Sequence, residues 1–145
     1  MGTWGIDPFD NDMAADFVRA LDGAAPEERE AFVRAALARA VRTRDYLESP
    51  EGAEAVAAAA LVAAQCPGGA PVRAGHGPRE PLPRFSGDLR PLAVEALDRV
   101  AAGASEVAEL WDETPDGPAW RRTVGRLRAV LAAGSPARET PPPAA

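Results

Sequence analysis

The sequence predicts an all-α fold: a bundle of five to six helices with a long Pro/Gly-rich loop and a disordered C-terminal tail. Three observations predict it. Apolar residues recur at three- and four-residue spacings along most of the chain. Runs of β-branched residues and period-two alternation are nearly absent. Each periodic stretch is bracketed by acids, Asn, Ser or Pro ahead and usually by Gly behind. The 145 residues suit one helical domain over 1–134, with 66–88 as its loop and 135–145 as the tail. A chain of this size buries roughly 70% of its unfolded surface, so it needs no disulfide or metal to fold.

The first helix begins after Asp10-Asn11-Asp12, residue types whose side chains accept the orphan N–H groups of a first turn. Ala14, Phe17, Val18 and Leu21 form its apolar stripe, and Gly23 ends it. The second opens at Pro26, with Glu27 and Glu28 in its first turn, where Pro and acids both suit a helix start. Val33, Leu37, Ala40, Val41 and Leu47 lie near one face. Ser49-Pro50-Glu51 begins a third helix, Ser49 capping and Pro50 in the first position. To about Gln65 that helix is mostly alanine. Small side chains let neighbours approach to the short end of the ~8–10 Å range, so this helix is expected to be central and buried on several sides.

Ten Pro and Gly residues between Pro67 and Gly87 forbid regular structure there. Leu82 and Phe85 are expected to pin the end of this loop. Leu89, Leu92, Ala96, Leu97 and Val100 make a fourth helix ending at Gly103. Ser105-Glu106 starts a short fifth, with Val107, Leu110 and Trp111. Asp116 and Pro118 open the last, where Trp120, Val124, Leu127 and Leu131 follow at helical spacing.

Composition excludes several functions. The net charge is −6 and all 16 basic residues are Arg. They are interspersed with acids, so no nucleic-acid partner is expected; an acidic surface repels phosphate and attracts basic proteins. A basic protein partner is therefore the expected one. The N-terminal segment has neither a basic nor an apolar region of the secretory kind. No apolar run spans a bilayer, so no membrane is expected, and a cytoplasmic location is the default. There is no P-loop, G-x-S-x-G, H-E-x-x-H or dinucleotide fingerprint. No cofactor and no catalytic residue is assigned. Cys66 and His76 could form a thiolate–imidazole pair, but nothing rigid holds them, and a free cysteine is commonly inert.

Two segments stand out. The leader, from Gly2 to Asp16, places Asp7, Asp10, Asp12 and Asp16 beside Asn11 with no basic residue among them. Hard cations want several oxygen ligands, so a metal site, even a metal-dependent hydrolase, is the alternative reading. The simpler one gives capping to Asn11 or Asp12, a turn to Asp7-Pro8, and water to Asp16. Trp4 and Phe9 are read as plugs for the end of the bundle, each worth roughly 1.5–3 kcal/mol when buried; a partner hot spot is the alternative. The second segment is Leu110-Trp111-Asp112-Glu113 with Trp120. A tight antiparallel turn would bring Trp111 and Trp120 to one end of the bundle as core.

The string G-T-W-G-x-x-x-F-D-N-D-x-A-A-D-F, with E-L-W-D-E and a following Trp on an amphipathic helix, resembles a bacterial family frequent in actinobacteria, domain of unknown function 4259. The resemblance runs from Gly2 to about Leu131. It implies a small helical domain and brings no activity, substrate or catalytic residue. The best reading is a non-enzymatic protein-binding module, immunity-like by analogy, of unknown oligomeric state.

Overall fold

The helices form where capping and breaking residues place their ends. The computed structural model describes residues 5–72 and 75–133. Trp4 and the 135–145 tail lie outside the described residues. Six α-helices appear among them: α1 (Asp12–Gly23), α2 (Arg29–Arg42), α3 (Ser49–Ala64), α4 (Leu89–Ala101), α5 (Glu106–Asp112) and α6 (Gly117–Ala133). The all-α class read from periodicity therefore holds. No helix there is long and apolar enough to cross a membrane.

Local chemistry sets the boundaries. Asn11 is the cap of α1, its side-chain oxygen accepting from Ala14 N at 2.8 Å. We expect Asn11→Ala to cost about 1 kcal/mol in urea denaturation. Two starts differ from the expected ones. Pro26–Glu28 forms a 3₁₀ turn, and α2 begins only at Arg29, since Pro at a first position is compatible with either tight or regular winding. The α3 start is not capped by Ser49. The Ser49 N–H donates instead to Glu106 Oε1 at 2.8 Å, a cap supplied from α5.

Helix α3 touches every other α-helix. Ala55, Ala57, Ala58 and Ala59 are fully enclosed, as the alanine run predicts. Around them Leu21, Val33, Leu37, Leu61, Leu89, Leu97 and Leu131 complete one buried cluster. Each buried Leu contributes roughly 1.5–3 kcal/mol. The segment joining α2 to α3 is tied to the α4–α5 turn: Leu47 N donates to Ala104 O at 2.9 Å, and Glu106 N donates to Leu47 O at 2.8 Å. Ala104 has φ 58°, a left-handed backbone that disfavours Ala.

The long loop after α3 is fastened along its second half. The Asp22 carboxylate accepts from the backbone of Arg79 and Glu80. The buried Arg29 donates to the carbonyls of Pro81 and Asp22. Gln65 donates to Pro83 O and accepts from Phe85 N, both at 2.9 Å.

Candidate functional site

Residues 5–11, the described part of the leader ahead of α1, lie against the bundle as a strap. Asp7 Oδ1 accepts from Phe9 N at 3.0 Å, and Asp7 O from Asp10 N at 2.9 Å. That is an Asx turn, the turn expected at Asp7-Pro8. It sends Phe9 into the core, where it is 5% exposed. Gly5 passes close to the Asp10 carboxylate; a Cβ there would lie 2.7 Å from Oδ2, so a larger residue would have to displace that side chain.

The α5–α6 corner is equally tight. A Cβ on Gly117 would lie 2.7 Å from the Trp111 carbonyl. This approach stacks Trp111 on Trp120, with centroids 6.2 Å apart and planes within 9°. Arg121 clamps the corner. Its guanidinium donates to both Asp112 oxygens at 2.9 and 2.8 Å and lies 5.9 Å from the centre of the Trp120 ring. The pairing holds the Asp112 carboxyl below its ordinary range. Trp120 is buried, whereas Trp111 keeps one part exposed.

Strap and corner face each other across a cleft of about 500 Å³. Ile6, Asp7, Pro8 and Asn11 line one side; Leu110, Trp111, Glu113 and Trp120 line the other; Ala53 and Val56 of α3 also line it. The ionisable residues lining it are Asp7 and Glu113, with no imidazole, thiol or basic side chain among the described residues. Of its hydroxyls, Thr114 donates to Trp111 O at 2.8 Å. The arrangement supplies apolar contact and negative charge. On its far side the strap borders a second hollow of about 470 Å³, which Ile6, Asp7 and Pro8 also line.

The predicted residues divide. Asp7, Asn11, Trp111 and Trp120 meet at the cleft. Phe9 is core, Asp12 is exposed, and Asp16 is exposed and paired with Arg19. Asp10 lies 3.4 Å from His76 Nδ1. His76 thus reaches the strap, while Cys66 is buried with its thiol on the Val62 carbonyl. Among the described residues no group of three or more His, Cys, Asp or Glu is arranged to hold a metal ion.

A family model described as "Domain of unknown function (DUF4259)" matches residues 2–123. The chain belongs to the DUF4259 family. The match takes in both sides of the cleft, strap and α5–α6 corner alike. No curated protein and no solved structure matches the chain.

Sequence reasoning missed one feature, Tyr46. It precedes α3, is 44% exposed, and donates its hydroxyl to Glu109 Oε1 at 2.7 Å. That hydrogen bond, then desolvation and the charges of Glu109, Glu106 and Glu48, push its pKa up to about 12. The folded value exceeds the unfolded one, so the contribution is complete below about pH 10 and disappears as pH rises through about 12. Tyr46 is the single tyrosine, so phenolate absorbance reports it alone. Titration of the folded chain should place the midpoint near 12, and Glu109→Gln should move it back toward the ordinary value.

Proposed function

We propose that the chain is a non-enzymatic protein-binding module that receives a basic partner in the cleft between strap and α5–α6 corner. One observation carries this reading: two segments that stand out in the sequence, about a hundred positions apart, converge on one apolar cleft whose ionisable lining, among the described residues, is acidic. Its volume of about 500 Å³ can enclose an anchoring side chain of a partner. Leu110 at the cleft is 50% exposed, and exposed apolar side chains beside stacked aromatics are the material of interface anchors. The net charge of −6 favours encounter with a basic protein. Neutralising a basic toxin, as immunity proteins do, is one biology that suits these properties.

The test places a photo-crosslinking amino acid at Leu110 in the native host, and at the exposed Glu95 on α4 as control. The captured protein is then purified and its affinity measured. One discrete adduct from Leu110 and not from Glu95, with binding lost by more than tenfold in Leu110→Glu, is the expected result. Identical adducts from both positions, no adduct, or affinity indifferent to Leu110→Glu would overturn the reading.

A further inference from the structure

We propose that the occupant of the cleft is a partner segment pairing an apolar anchor with an arginine. The anchor seats on Leu110 and Trp111, and the guanidinium lies over the Tyr46 ring against Glu109. The inference rests on the cleft being the binding face and specifies what that face recognises.

Tyr46 and Leu110 are the large apolar side chains that the described fold leaves exposed. They are near one another in the fold: Tyr46 bonds to Glu109, the residue before Leu110, and Ser49, three residues on from Tyr46, lines the cleft. Tyr46 and Glu109 therefore form a shoulder beside the cleft. Leaving both side chains in water on one side of a small bundle costs burial that a partner would recover.

Charge identifies that partner. The carboxylates of Glu109, Glu106 and Glu48 all act on the Tyr46 hydroxyl, which responds by holding its proton. Arg99, a basic residue that reaches the same turn from α4, gives its guanidinium to the carbonyls of Thr43, Asp45, Gly103 and Ala104. Arg99 keeps its charge there, and the exposed Arg42 and Arg44 precede Tyr46 in the chain, but the charges that act on the tyrosine hydroxyl itself are the three carboxylates. Glu106 is occupied in capping α3. Glu109 uses Oε1 for the tyrosine hydroxyl, and a carboxylate has lone pairs to accept further donors.

Shape selects arginine over lysine. A guanidinium is planar, stacks on an aromatic face and donates to a carboxylate at the same time. An ammonium makes only one of those contacts well. The Tyr46–Glu109 hydrogen bond holds ring and carboxylate together before binding, so little ordering is required of this side.

The test is selection of a random 12-residue displayed peptide library on the full chain, counter-selected on Leu110→Glu, followed by synthesis of the recovered peptides. Recovered sequences should carry arginine three or four residues from a Leu, Ile, Phe or Trp. Replacing that arginine by glutamine should weaken binding about fivefold to tenfold, and by lysine roughly threefold. Glu109→Gln and Tyr46→Ala should each weaken the arginine peptide by a similar factor and leave the glutamine peptide unchanged. Peptides that depend on Leu110 but show no arginine preference overturn this inference and leave the cleft reading standing. No Leu110-dependent peptide at all overturns both. A dimer in light scattering that Leu110→Glu dissolves would assign the face to a second copy and overturn the arginine segment.

Discussion

Trp120→Ala is expected to cost about 3–5 kcal/mol of folding stability, the range for a large aromatic removed from a core. Three contacts disappear together. Trp120 is 4% exposed, so nearly its whole surface returns to water in the unfolded reference. Its stack on Trp111 is worth about 0.5–1.5 kcal/mol beyond area, and Arg121 loses the ring it lies over. The α5–α6 corner should loosen first, because Trp111 has no second ring to rest on. Urea denaturation followed by circular dichroism measures the loss. A cost under 1 kcal/mol would show that the corner is held by Arg121 and Asp112 alone. Leu110→Glu, at an exposed position of the neighbouring α5, should stay within about 0.5 kcal/mol of the parent.

Ala58→Leu is the second large effect, expected to destabilise by about 1–3 kcal/mol through overpacking. Ala58 is wholly enclosed on a helix that meets all five others. Added methylenes there must displace a neighbouring helix or adopt a poor rotamer, since interiors are already close-packed. Ala53 provides the contrast. It sits on the same helix, is partly exposed and lines the cleft. Ala53→Leu should leave stability nearly intact and narrow the cleft, reducing partner affinity instead. Denaturation midpoints and binding of the two variants separate filling a core from filling a site.

The helices were legible because their signals are local. Asn11, Pro26, Pro50 and the spacing from Trp120 to Leu131 act within one or two turns, and the run Ala57–Ala60 marks a central helix by size alone. The site was half legible. Trp111 and Trp120 could be placed together because one short turn joins their helices. That the leader would face them was not readable, since no spacing rule links Ile6 to Trp111. The acids of the leader invited a shared role that the fold does not give them. Asp7 and Asn11 build turn and cap, Asp12 and Asp16 face solvent, and Asp10 meets a histidine from the long loop. Tyr46 escaped notice because a lone tyrosine in a turn belongs to no periodic pattern. Only the glutamates of α5, folded back beside it, give it meaning.

Building a cleft from the two extremities of the matched region has a kinetic consequence. Ile6 and Trp111 line one wall each, so the surface exists only after a loop of about a hundred residues has closed. Closing so long a loop costs entropy before it returns any contact. Helical signal should therefore recover ahead of tryptophan emission during refolding, and a nascent chain still on the ribosome, its α6 unborn, has no face to offer a partner.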